Sequence, residues 1–177
     1  MNLLDKAKMV ADILHCKQVY GDNKKYFKHL EDVYEVLQRY NITDENILVS
    51  AFLHDTVEDT QLKVSLIEKY FNAEIANIVY CVTNEHGIDE KEKNQKTYTK
   101  LAKNEKAIIL KLADRIANVE NGINNPTKKH YNKYKEGYEV FKYYLYSDSH
   151  VLAQGLWKHL DSLFDYKKNM LHPQEQS

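Results

Sequence analysis

Ala51-Phe52-Leu53-His54-Asp55-Thr56-Val57-Glu58-Asp59-Thr60 is the stretch that decides how this chain reads. An apolar helical face, begun by Ile47 and Leu48, runs into an imidazole and three carboxylates. On a helix, positions i and i+4 share a face, so Glu58 falls over His54 and Asp59 over Asp55. Acidic groups packed this closely repel one another unless a cation joins them. Neighbouring helical residues point about 100° apart, so His54 and Asp55 reach one ion only where the helix ends and the backbone bends. Thr56 and Val57, both β-branched, suit such an end. A plain capping segment uses Asp and Thr in the same way, and the pair alone does not separate the two readings.

Two further stretches tip the balance. In Lys111-Leu112-Ala113-Asp114-Arg115-Ile116-Ala117-Asn118-Val119 an aspartate interrupts an apolar helical run. A carboxylate on a buried face is costly without a partner, and a cation is one partner. Asn118 lies one turn on, on the same face; the alternative is an Asp114–Arg115 surface pair. His29 opens a third amphipathic helix. His29, His54, Asp55 and Asp114 then supply two imidazoles and two carboxylates. This mixed set suits a first-row divalent ion such as Mn, Fe, Co or Zn, with water completing the shell. Glu58 and Asp59 are left to orient that water, take its proton or protonate a leaving oxygen.

The rest of the chain is built to hold such a site. Its 177 residues carry 25 Lys+Arg, 26 Asp+Glu and 8 His, with 43% hydrophobic residues. This is one globular domain, and a net charge of -1 argues against bulk nucleic-acid binding. Five Gly and two Pro are too few for turn-rich sheets. Helical spacing recurs at Leu3–Leu14, Leu30–Leu37, Ile47–Phe52, Leu62–Tyr70, Ala73–Val82, Ile108–Val119, Tyr131–Leu145 and Val151–Phe164. Asn84 to Tyr98 is polar and without period, and reads as a surface loop leading into a helix. The expected fold is all-α, one helical bundle over 1–165 with a metal site between helices, followed by a polar, frayed tail over 166–177. Pro126 and Pro173 fall in expected loops. Cys16 and Cys81 lack CxxC spacing and sit among apolar residues, which reads as two buried thiols in a reducing compartment. No apolar run reaches the ~18 residues of a membrane span, and the charged start is no secretion signal. The expected setting is cytoplasmic, with self-association left open.

On these residues the chain resembles the HD-domain metal-dependent phosphohydrolases, in particular the hydrolase domain of RelA/SpoT-type alarmone enzymes and their small stand-alone relatives. The matching segments are that of His29, Leu53–Thr60, Val82-Thr83 and Lys111–Val119. The resemblance implies that His29, His54, Asp55 and Asp114 are metal ligands and that Glu58 and Asp59 are a catalytic acidic pair. It implies that Asn118 holds the nucleotide, that the ion is Mn, and that the reaction removes pyrophosphate from the ribose 3′ position of (p)ppGpp. His15 and Gln18 match the pattern too. The family's base-stacking arginine is replaced by Tyr20, with Lys24 and Lys25 nearby. The family's proline after the first histidine is Leu30, and its arginine after Asn118 is missing. Lys96 stands where the family has a basic residue. Tyr134 and Tyr138, interleaved with Lys128, Lys129, Lys133 and Lys135, complete the expected substrate-binding set. Two other readings stay open: a related hydrolase of a 5′-nucleotide, a dNTP or NADPH phosphate, and a catalytically silent nucleotide-binding module.

Overall fold

The computed structural model describes residues 1–21, 23–125 and 127–170, with side chains described as far as Phe164. The helices are α1 (Leu3–Leu14), α2 (Phe27–Arg39), α3 (Glu45–Leu53), α4 (Thr56–Asp59), α5 (Val64–Tyr70) and α6 (Ala73–Val82). They continue with α7 (Glu90–Leu101), α8 (Glu105–Asn124), α9 (Lys129–Glu136), α10 (Tyr138–Leu145) and α11 (Gln154–Met170). A 3₁₀ turn, Val151–Ala153, leads into α11. The all-α expectation holds except for one small hairpin, β1 (Val19–Tyr20) with β2 (Lys24–Lys25), paired Val19 to Lys25 and Tyr20 to Lys24.

Local chemistry starts these helices. Asn2, Asp44, Asn72, Asp89 and Asn104 each accept a hydrogen bond from a backbone N–H of the first turn they precede. That satisfies donors no helix can pair internally. The same device starts the helix earlier than expected: the stretch Asn84 to Tyr98 is loop only over 84–89 and helical from Glu90. Asp89 caps α7 through the Glu92 amide at 2.8 Å, and Glu92 pairs with Lys96 at 2.7 Å one turn on. Only Thr97, Tyr98 and Leu101 of that helix are buried, so its apolar period is too short to see. The single helix expected over Tyr131–Leu145 is two, broken at Gly137. Cys81 is buried as expected, but Cys16 is exposed because α1 ends at Leu14 and the thiol lies in the turn beyond. Helix α11 runs on through the 165/166 boundary to Met170. Pro126, Pro173 and the tail from 171 onward lie outside the described residues.

Helix α8 is the axis, buried along most of its 20 residues. It packs on α2, α6, α9 and α11. One apolar cluster gathers Val36, Leu37, Ile108, Leu112, Phe141 and Trp157 around it. A second joins α1, α2, α3, α5 and α6 through Ala7, Leu30, Phe52, Leu53, Ile67 and Ile75. Leu30 and Leu53, in the second cluster, are the chain neighbours of His29 and His54, while Asp114 follows Ala113 of the first. The polar centre therefore sits on the seam between the two. No helix among the described residues is long and apolar enough to cross a membrane.

Candidate metal centre and the adjacent cleft

His54 caps the C-terminus of α3, and Asp55 stands immediately before α4. The two residues therefore occupy a junction between helices, where adjacent side chains can converge. Thr56 Oγ1 donates to the Leu53 carbonyl at 2.6 Å and holds the bend. Helix α2 brings in His29, 2% exposed, and α8 brings in Asp114, 5% exposed. His29 Nε2 lies 3.2 Å from Asp114 Oδ1 and 3.6 Å from Asp55 Oδ2. His54 Nε2 lies 2.9 Å from Asp55 Oδ2 and 3.8 Å from Asp114 Oδ1. His29, His54 and Asp55 each offer a ligand atom within 4.8 Å of the others.

These atoms fit a divalent cation. His54 Nδ1 is 2.9 Å from the Ala51 carbonyl, which can only accept, so Nδ1 carries the proton. Nε2 then presents a lone pair toward the carboxylates, and it has no hydrogen-bond partner among the described residues. A buried lone pair facing carboxylates is stabilised by a cation, and fixing the far ring nitrogen is how proteins orient imidazole ligands. With no cation, a proton takes that place. Burial works to lower the His54 pKa, but Asp55 and Asp114 outweigh it and raise it to about 9. Burial likewise pushes Asp55 and Asp114 up, and the facing cationic groups bring both below the usual carboxylate range.

The surroundings anchor these four side chains. Tyr26 Oη donates to Asp55 Oδ2 at 2.6 Å. Burial and the adjacent Asp55 raise that phenol, so it stays a donor. Asp114 receives Lys111 Nζ at 3.0 Å and Asn118 Nδ2 at 2.6 Å. Burial works to lower the Lys111 pKa, and Asp114 and Asp55 outweigh it and raise it, so the ammonium stays charged. The Asp114–Arg115 surface pair does not exist: both side chains are buried and point to different partners.

Glu58 and Asp59 lie exposed at the rim of this centre. Glu58 is held by Asn84, through its backbone N–H at 3.1 Å and Nδ2 at 2.7 Å. The Asp59 carboxyl is raised by burial and by the charges of Asp55 and Glu58. His15 stacks on Tyr26 with ring centroids 4.8 Å apart, and Gln18, hydrogen-bonded to His15, donates to the Asp59 carbonyl at 3.2 Å.

The other expected substrate residues divide. Tyr20 lies against His29 at 4.8 Å, and its hydroxyl donates to Asn118 Oδ1 at 3.0 Å. Burial pushes its phenol up to about 12. Asn118 thus links Tyr20 to Asp114. The hairpin register puts Lys24 on the Tyr20 face and Lys25 on the other, both exposed. Tyr134 lines a cleft of about 460 Å³ between α7, α8 and α9, together with Asn84, Lys93, Lys111, Arg115 and Lys133. Asn84 holds Glu58 and Lys111 touches Asp114, so this cleft opens beside the polar centre. Tyr138 faces the core instead, on Trp157 and Phe164, and donates to Asp161. Lys96 stays with Glu92 and lines a separate cleft with Tyr80 and Lys100. Tyr26, Asn84, Lys93 and Arg115 complete the surroundings; their only sequence signal was position close to a ligand or cap.

Comparisons with known proteins agree with this geometry. The guanosine-3′,5′-bis(diphosphate) 3′-pyrophosphohydrolase MESH1 of Drosophila melanogaster is 33% identical over 105 residues, 58% of this chain and 59% of that protein. The guanosine-3′,5′-bis(diphosphate) 3′-pyrophosphohydrolase of Aquifex aeolicus (strain VF5) is 30% identical over 168 residues, 90% of this chain and 23% of that one. The chain spans less than two thirds of the length of these curated relatives. A solved structure of a metazoan ortholog of SpoT that hydrolyses ppGpp superposes with a TM-score of 0.81 at 25% identity, covering 94% of this chain and 96% of that one. A family model described as the HD domain matches residues 7–143, from α1 into α10 and across all four converging side chains, and the chain belongs to that family.

Proposed function

We propose that this protein is a Mn-dependent phosphohydrolase that removes pyrophosphate from the 3′ position of a (p)ppGpp-like guanosine nucleotide. The observation that carries the reading is the convergence of His29, His54, Asp55 and Asp114 beside the acidic pair Glu58 and Asp59. Those four residues would hold the ion. When bound, a divalent ion makes water a nucleophile near neutral pH and offsets phosphate charge. Glu58, aimed by two donors from Asn84, accepts the proton of the attacking water. The water oxygen forms a bond to the phosphorus, and the bond from phosphorus to the ribose 3′ oxygen breaks. Asp59, whose carboxyl is raised by burial and its acidic neighbours, returns a proton to that 3′ oxygen. The products are the 3′-hydroxyl nucleotide and pyrophosphate. The known activities of MESH1 and the Aquifex relative support this substrate class. Intact Glu58 and Asp59 favour it over a silent binding module.

Product release from a nucleotide panel with Mn present tests the proposal. Pyrophosphate is expected from guanosine 3′,5′-bis(diphosphate), with none from simple 5′-nucleotides. Orthophosphate from NADPH or triphosphate from a dNTP, with no pyrophosphate from the alarmone, would move the substrate elsewhere in the same chemistry.

A further inference from the structure

We propose that Arg115, at the wall of the cleft beside the metal centre, binds the distal phosphoryl group of the departing pyrophosphate and so makes the site select a 3′-diphosphate over a 3′-monophosphate. This rests on the hydrolase reading above. Arg115 is 94% buried, since only 6% of it is exposed, yet it pairs with no carboxylate among the described residues. Its guanidinium lies 3.5 Å from the Phe141 ring centroid and 5.1 Å from that of Tyr134. Stacking uses the flat faces of the group and leaves its in-plane N–H edge for acceptors. Of that edge, Nη2 donates to the Tyr98 hydroxyl at 3.2 Å, while Nε and Nη1 have no partner among the described residues. A buried cation with two idle donor nitrogens is expensive unless an anion completes it.

The position suits a diphosphate. Lys111 and Arg115 are one helical turn apart, about 6 Å along α8, and both line the cleft. Lys111 already touches Asp114, at the metal end. A phosphoryl group attacked at that end would place a second, linked phosphoryl group toward Arg115. The planar guanidinium fork can meet two oxygens of a tetrahedral phosphoryl group at once, which a point charge cannot. Lys133, exposed at the rim, adds positive charge over the same space, against Glu90 and Glu136.

The test compares binding of inorganic pyrophosphate and orthophosphate by calorimetry, on the full chain loaded with Mn. It then compares kcat/KM for guanosine 3′-diphosphate and 3′-monophosphate substrates. The wild-type protein is expected to prefer pyrophosphate by about ten-fold or more, the scale of one charge-assisted hydrogen bond. Arg115→Met, which keeps much of the packing on Phe141, should abolish that preference and leave orthophosphate binding unchanged. Arg115→Lys should restore only part, having charge without the fork. Lys133→Met, a surface change that leaves the core intact, should weaken pyrophosphate by a smaller factor and serves if the Arg115 variants do not fold. Equal affinities in the wild-type protein, or a preference that survives Arg115→Met or is untouched in Lys133→Met, overturns the proposal. A protein that selects pyrophosphate but cleaves no nucleotide refutes the hydrolase reading alone. One that cleaves the 3′-diphosphate yet binds both anions alike refutes the role of Arg115 alone.

Discussion

Single side chains carry the chemistry here, and their roles separate under substitution. Glu58→Gln keeps the shape and one of the two acceptors that face Asn84 but removes the proton acceptor. Turnover should fall by about 10²–10⁴-fold with bound metal unchanged, measured by initial rates and metal analysis of the same sample. Tyr26 makes the opposite case. Its hydroxyl donates to Asp55 at 2.6 Å and touches no substrate in the proposed reaction. Tyr26→Phe should weaken Mn binding by about 10–100-fold, with turnover at saturating Mn close to wild type, as read by chelator competition. Both residues bear on what the sequence can tell. His54, Asp55 and Asp114 stood out because polar groups inside apolar runs break an expected pattern. Tyr26 and Arg115 did not, because an aromatic before a helix and an arginine beside an aspartate have ordinary explanations that only burial and partners remove.

At the scale of elements, helix starts and one close approach shape the site. Asp44 caps α3, accepting from Asn46 and Ile47 amides, and also meets Lys106. Burial works to raise the Asp44 carboxyl, and the Lys106 and amide contacts outweigh it and lower it below 3.8. A lowered folded-state pKa means the stabilisation is present above the unfolded value and is lost as pH falls through the folded one. Asp44→Ala should therefore cost about 1 kcal/mol near pH 7, and its melting temperature should converge on that of the wild type below about pH 4. Gly122 acts differently. A Cβ there would meet the Tyr131 backbone nitrogen at 2.9 Å, so the lack of a side chain is what lets α9 lie against α8. Gly122→Ala should push α9 outward, costing about 1–3 kcal/mol and raising KM more than it lowers kcat. Helix α3 was readable in the apolar spacing of Ile47 to Phe52. Helix α7 was not, because its length rests on Asp89 and on charge pairs rather than on an apolar stripe.

For the whole molecule, the site's position on the seam between two apolar clusters matters most. His29 and the His54–Asp55 junction neighbour Leu30 and Leu53 of the cluster around α1, α3, α5 and α6, to which α2 adds Leu30, and Asp114 follows Ala113 of that around α8. Helices α2, α3 and α6 give residues to both clusters, and the seam between the clusters brings together buried carboxylates and imidazoles whose lone pairs face one another. A cation bound there stabilises the folded chain by RT ln(1 + [L]/Kd), about 2.7 kcal/mol at a free concentration one hundred times Kd. In a chain of this size that corresponds to roughly 5–10 °C in melting temperature. Saturating Mn should raise the melting temperature by that amount over a chelated sample, and re-adding Mn after chelation should restore it. Asp55→Ala should melt at one temperature with or without the ion. An identical transition for the wild-type protein with chelator and with saturating Mn would mean that the four side chains hold no ion in common, and the hydrolase reading would fall with it.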